Sequence, residues 1–208
     1  MAAAGRLRQA SAGLAGLALA TLVAGCGSLK PADPTMTIHT GRFSAVIRQG
    51  GSQESVTGRF TLATGGGRTV LDLASPLGNT LARVEADAGG ASLTAPRDDG
   101  TLATWEGTDA DALAESVLGY RLPVSGLPDW IAGRAVAARP ALRSPQDGPA
   151  QRIEQDGWII VVDQWFDQNG LPRRLTLDRG TGSEATPALR LRLVLDDTGD
   201  AVRALPQR

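Results

Sequence analysis

The chain has 208 residues, 21 basic against 22 acidic, and a formal net charge of -1, so it lacks the basic excess that nucleic-acid binding draws on. A single cysteine excludes an intramolecular disulfide, and a single histidine leaves acid–base chemistry with few candidate groups.

Arg6 and Arg8 precede an apolar stretch over residues 12–24, interrupted only by Gly13, Gly16 and Thr21. A basic start followed by a short apolar run reads as a secretory signal. The run falls short of the ~20 residues that cross a bilayer. It closes on Val23-Ala24-Gly25-Cys26, a lipobox, so residues 1–25 are expected to be removed and Cys26 to be acylated. Losing Arg6 and Arg8 takes the net charge from -1 to -3. Three acyl chains, at about 0.8 kcal/mol per buried methylene, would hold the chain on a membrane far more firmly than one. Gly27 and Ser28 follow the cysteine without an aspartate, which favours the outer membrane, facing the periplasm. Residues 26–35 are small, polar and proline-bearing and are expected to form a lipidated tether. Residues 36–208 are long enough for one domain with a substantial core.

Period-two alternation dominates from there. Val56, Phe60 and Leu62, with Gly58, share one face, and Ser55, Thr57, Arg59 and Thr61 the other. Similar runs at 41–48, 68–74, 81–86, 91–95 and 101–105 are separated by turn residues and predict sequential antiparallel strands. Gly65-Gly66-Gly67 lacks the Lys-Ser/Thr of a phosphate loop and is expected to be a hairpin turn. Thr108 is placed to cap a helix over 109–118, with Asp111 in its first turn, Leu113 and Val117 on one face, and Gly119 as terminator. A shorter helix is expected over 127–132, with Ser125 near its cap, Pro128 in its first turn and Gly133 at its end. Residues 134–150 show no periodicity and predict a long irregular connection. Strands resume over 151–155 and 158–166 around the hairpin pair Asp156-Gly157, then over 173–178. In the last run Leu189, Leu191, Leu193 and Leu195 alternate with Arg190, Arg192 and Val194. The expected class is α+β, a curved antiparallel sheet with helices on one side.

No catalytic constellation emerges. His39 sits beside the tether and is expected to be a solvated surface residue rather than a catalytic base. One cysteine and one histidine give no metal-ligand spacing. Asp98-Asp99, Asp109, Asp111 and Asp196-Asp197 are read as turn, cap and edge residues. No enzyme activity, cofactor, metal or nucleic acid is expected.

Five ordered tags carry a resemblance. Gly41-Arg42-Phe43-Ser44, Ser75-Pro76-Leu77-Gly78-Asn79-Thr80, Leu118-Gly119-Tyr120-Arg121-Leu122-Pro123-Val124, Leu127 with Trp130-Ile131-Ala132-Gly133, and Gln155-Asp156-Gly157-Trp158 are similar to the LolB family across nearly the whole mature chain. Asp196-Asp197 and the segment 134–150 depart from the family pattern. The resemblance implies an unclosed, half β-barrel with helices over an apolar cavity. It implies a monomeric receptor that takes acylated lipoproteins from the periplasmic carrier LolA and inserts them among outer-membrane lipids.

A cavity for acyl chains needs aliphatic and aromatic walls. The candidates are Leu71, Leu73, Val84, Leu93, Trp105, Leu113, Val117, Trp130, Ile131, Trp158, Ile160, Trp165, Leu175 and Leu177. By sequence alone Ser75-Pro76-Leu77-Gly78 is a β-turn with an exposed leucine. The resemblance makes Pro76, Leu77 and Gly78 a membrane-insertion loop. The alternative function is an envelope lipoprotein that binds another apolar ligand or scaffolds an assembly.

Overall fold

The computed structural model describes residues 36–145, 149, 151–168, 170–180 and 187–196. The expected signal segment, Cys26, the expected tether and the tail from Asp197 lie outside the described residues. Among those described, no helix is long and apolar enough to cross a membrane.

Among the described residues eleven strands form one antiparallel sheet. The first six are β1 (Thr37–Gln49), β2 (Ser52–Gly65), β3 (Arg68–Ala74), β4 (Thr80–Asp87), β5 (Gly90–Pro96) and β6 (Leu102–Gly107). Two helices follow, α1 (Ala110–Leu118) and α2 (Leu127–Trp130). The chain then forms β7 (Ala141–Ser144), β8 (Arg152–Gln155), β9 (Trp158–Trp165), β10 (Pro172–Arg179) and β11 (Ala188–Leu195). The spatial order is β6-β5-β4-β3-β2-β1-β11-β10-β9-β8-β7. Each half is thus built from neighbours in sequence, and the first and last strands join the halves. Among the described residues the edge strands β6 and β7 do not pair, so the sheet is open.

Alternation sorts the side chains as the sequence predicts. Phe43, Ala45 and Ile47 of β1 are buried while Arg42 and Arg48 are exposed; on β11 the four leucines are buried and Arg190 and Arg192 exposed. Asp156 and Gly157 take φ angles of 53° and 76°, the left-handed pair of a two-residue hairpin.

The sheet must curl. Helix α1 packs on β4, β5 and β6, whereas Trp130 of α2 bonds to Gln155 on β8 and packs its ring 6.2 Å from that of Trp158 on β9. In a flat sheet β5 and β9 would stand roughly 34 Å apart at ~4.8 Å per strand. Yet α1 is hydrogen-bonded through Asp111 to Ser125, just before α2. The inner faces of both flanks are drawn onto the same helical segment, and one hydrophobic cluster includes buried residues of nine strands, both helices and their connection.

Some local expectations are corrected. The α1 cap is Asp109, not Thr108; its carboxylate accepts the Ala112 N–H at 2.7 Å, a charge-assisted bond that a hydroxyl does not match. Gly119 terminates α1 with φ 81°. Helix α2 ends at Trp130 rather than 132, and the chain turns out through Gly133, whose N–H bonds the Trp130 carbonyl. The segment expected to be irregular contains β7, an edge strand with no buried residue and hence no alternation to announce it. His39 is not a solvated surface residue. It lies in β1, half-buried, with Nδ1 lacking a partner among the described residues, and burial lowers its pKa.

Two glycines shape the inner face. Gly41 lies opposite Phe60, and Phe43 opposite Gly58. Each phenyl ring occupies the space a cross-strand Cβ would need. A Cβ on residue 58 would also overlap the Ala74 carbonyl oxygen of the neighbouring strand. Gly58→Ala is therefore expected to destabilise the fold by about 1–3 kcal/mol through overpacking, read as a lower denaturation midpoint in thermal or urea unfolding.

Candidate functional site

The inner face and the α1–α2 connection enclose an apolar cavity of about 50 Å³. Its sheet side is lined by Phe43 and Ala45 of β1, Val56 and Phe60 of β2, Leu71 and Leu73 of β3, Leu81 and Ala82 of β4, and Leu191 and Leu193 of β11. Its cover is Leu118, Tyr120, Leu122, Pro123 and Leu127. Among these walls only Tyr120 carries a polar side-chain atom. Burial, with Glu54 nearby, raises the Tyr120 pKa, so the phenol stays neutral. The volume is a fraction of the roughly 150 Å³ apolar cavity that takes up benzene. It is too small to hold a longer apolar ligand as it stands.

Two buried polar side chains hold that cover. Asp111, 6% exposed, accepts the Ser125 N–H at 2.9 Å on one carboxylate oxygen and the Ser125 hydroxyl at 3.0 Å on the other, with the Arg121 guanidinium 3.9 Å away. Burial raises its pKa, and the Ser125 bonds and Arg121 oppose that rise without cancelling it. Gln155, 3% exposed, is saturated. Its carbonyl accepts the Trp130 indole N–H and the Val136 N–H, both at 2.9 Å, and its amide donates to the Val136 and Arg139 carbonyls at 3.0 and 3.2 Å. It thereby ties α2 and the chain after it to β8. Arg139 adds ion-pair contact with Asp156 at 2.6 Å and donates to the Ser125 carbonyl at 3.0 Å.

Of the predicted wall residues, Leu71 and Leu73 line this cavity. Val84, Leu93, Leu113, Trp130, Ile131, Trp158, Ile160, Leu175 and Leu177 lie buried in the surrounding core, with Trp105 and Val117 partly buried against it. Trp165 borders a separate polar cleft of about 370 Å³, shared with Arg42, Arg173, Asp167 and Asp196. The lining residues Phe43, Val56, Phe60, Leu191 and Leu193 belong to alternating runs evident in the sequence. Their selection from the buried face depends on where the helical segment docks. The residues of the connection itself have no period that could single them out.

Pro76, Leu77 and Gly78 stand together on the β3–β4 turn. The Gly78 N–H bonds the Ser75 carbonyl at 2.9 Å, the Ser75 N–H bonds the Asn79 carbonyl at 2.8 Å, and the Ser75 hydroxyl oxygen accepts the Asn79 N–H at 3.1 Å. Gly78 takes φ 90°. This closed turn presents Leu77 with 91% of its surface exposed. No metal-binding cluster of His, Cys, Asp or Glu occurs among the described residues.

A family profile described as "Outer membrane lipoprotein LolB" matches residues 39–197. A protein of Ralstonia nicotianae named outer-membrane lipoprotein LolB is 39% identical over 194 residues, covering 84% of this chain and 90% of its own. The proteins of that name from Bordetella petrii and Cupriavidus necator are each 40% identical, over 190 and 161 residues. They cover 86% and 76% of this chain and 92% and 78% of their own lengths.

Gln155→Leu is expected to leave the Trp130 and Val136 N–H groups without an acceptor, at about 1–3 kcal/mol each. The result should be a lowered unfolding midpoint and faster amide exchange over α2. For Asp111 the folded pKa lies above its ordinary value of 3.8. Between those two values the folded chain binds a proton that the unfolded chain does not, so this group's contribution to stability grows as pH falls through that window. Asp111→Asn should remove that component from the pH dependence of the unfolding free energy.

Proposed function

The chain belongs to the LolB family of outer-membrane lipoproteins, and from that premise we propose how its cavity and its exposed turn serve the receptor function of the Lol pathway. It is an outer-membrane lipoprotein that works in lipoprotein localisation. The incoming cargo is an acylated lipoprotein held by a LolA-type carrier. Its chains cannot cross an aqueous space unshielded, since exposure costs about 0.8 kcal/mol per methylene. The cavity beneath the α1–α2 connection receives them. The observation that carries this reading is an almost wholly apolar cavity whose cover hangs on a few polar bonds.

Entry displaces residues 118–127 from the sheet, with the Asp111–Ser125 and Gln155 contacts setting how far the cover yields. Leu71 and Leu73 meet the chains first as part of the present wall. The predicted residues deeper in the core become accessible as the cover lifts. No bond is broken in the handover. Its direction follows from relative affinity, and a preference of about 1.4 kcal/mol gives a tenfold bias. Leu77 then enters the interface of the outer membrane or contacts the chains as they leave, because a turn held by its own backbone bonds can submerge an apolar tip without unfolding. Acylated Cys26 keeps a single copy of the chain at that membrane.

The decisive experiment mixes residues 26–208 carrying Cys26→Ala with a LolA-type carrier loaded with an acylated lipoprotein, and follows which protein holds the cargo. Cargo is expected on this chain without nucleotide. Cargo that stays on a carrier shown to be competent, with this chain folded, would leave a scaffold or another apolar ligand as the function. Leu77→Glu should receive cargo as the parent does yet insert it into vesicles at least about tenfold more slowly; unchanged insertion would remove the role given to the turn.

A further inference from the structure

The outer face of the sheet carries a second feature, independent of the cavity. Arg42 on β1 lies directly opposite Arg59 on β2. Across β1's other edge Arg42 faces Val194 of β11, which in turn faces Arg174 of β10. Arg192 lies two residues from Val194 on the same face of β11, opposite Ser44 and Thr176. Four exposed arginines thus occupy four adjacent strands within a width of roughly 14 Å.

None of the four makes an ion pair among the described residues. By contrast, Arg68, Arg83, Arg121, Arg134, Arg139, Arg152 and Arg190 each face a carboxylate. Of the nearby acids, Asp72 and Asp178 are paired with Arg83 and Arg190, while Asp163 and Asp196 accept hydroxyl bonds from Thr176 and Thr40 and keep their charge. Like charges placed directly across a strand pair oppose folding, so a chain of net charge -1 holds a concentrated basic band at a local cost. The band has position as well as charge. Arg59 also pairs in register with Ala74, the last residue before the turn that exposes Leu77. Arg42 lies five residues into β1, near the start of the described residues.

We propose that Arg42, Arg59, Arg174 and Arg192 form a docking band for the phosphate layer of a bilayer containing anionic phospholipid, holding the outer sheet face to the membrane beside the Leu77 turn. Guanidinium groups suit this occupant because each donates in a planar fork to phosphate oxygens. An anionic surface attracts each basic side chain within a Debye length. The membrane as occupant rests on the lipoprotein reading above. The band itself rests only on register and charge.

The test is sedimentation of residues 26–208 with Cys26→Ala, without cargo or carrier, against vesicles of phosphatidylcholine alone or with about 30% phosphatidylglycerol. At least about tenfold stronger binding to the anionic vesicles is expected, lost in high salt. The Arg42→Gln/Arg59→Gln/Arg174→Gln/Arg192→Gln variant should lose at least about tenfold of that binding with its thermal midpoint not lowered. Should that variant misfold, Arg42→Gln/Arg59→Gln and Arg174→Gln/Arg192→Gln are expected to lose about threefold each. Equal binding to both vesicle types, absence of binding, or full binding by the folded variants would overturn the proposal. So would loss of all binding in Leu77→Glu alone, which would assign membrane contact to the turn. Because cargo is absent, these outcomes are distinct from failure of cargo receipt.

Discussion

The pairing of β1 with β11 is the contact on which the rest of the structure depends. Each half of the sheet is a succession of strands joined to their sequence neighbours, but Gly41↔Leu195 through Arg48↔Ala188 link residues about 150 positions apart. The ordering entropy of so long a loop must be met by what the pairing brings together. On the inner face that is Phe43 and Ala45 beside Leu193 and Leu191, the floor of the cavity. On the outer face it is Arg42 beside the strand that carries Arg192 and separates it from Arg174. The apolar site and the basic band are two sides of one ladder.

The helical segment answers a different need. An open sheet with one apolar face has to bury that face, and among the described residues two short helices, their connection and the chain just after α2 do so. Curling the sheet makes this small cover sufficient. Because α1 sits on β4–β6 and α2 reaches β8 and β9, the bonds of Asp111 to Ser125 and of Gln155 to Trp130 and Val136 hold the two flanks to one cover. Buried polar groups of this kind are costly unless satisfied, and Gln155 is satisfied at both ends of its amide. They give the cover a defined seat while leaving the wall it covers free of polar anchors. A receptor that must also let go benefits from that division: location is set by hydrogen bonds and occupancy by apolar contact, which is graded rather than specific.

The small cavity fits the same logic. Phe43 and Phe60 fill the space above Gly58 and Gly41, and Tyr120 and Leu122 close from the other side. An empty, larger apolar chamber would forfeit dispersion contacts along its whole wall. With about 50 Å³ left between them, the two sides keep most of those contacts.

The sequence by itself determined the strands with a clean alternation, the Gly66-Gly67 and Asp156-Gly157 turns, the stop of α1 at Gly119, and the exposed turn at Leu77, because each follows from interactions within a few residues. It also carried the five tags that identify the family. It predicted an irregular connection where β7 lies, because no residue of that strand is buried to set an alternation, and misplaced the α1 cap by one residue between two adjacent capping side chains, Thr108 and Asp109. Alternation told which residues of β2 and β11 face inward, but not which inward residues border the cavity. Leu71 and Leu73 line it while Leu175 and Leu177, equally apolar and equally alternating, are packed in core. That distinction, the closure of β1 on β11, and the gathering of four arginines from four strands were decided only by the tertiary structure. Period and turn chemistry are local properties of a chain, whereas a neighbour across a ladder or under a helix is set by the whole fold.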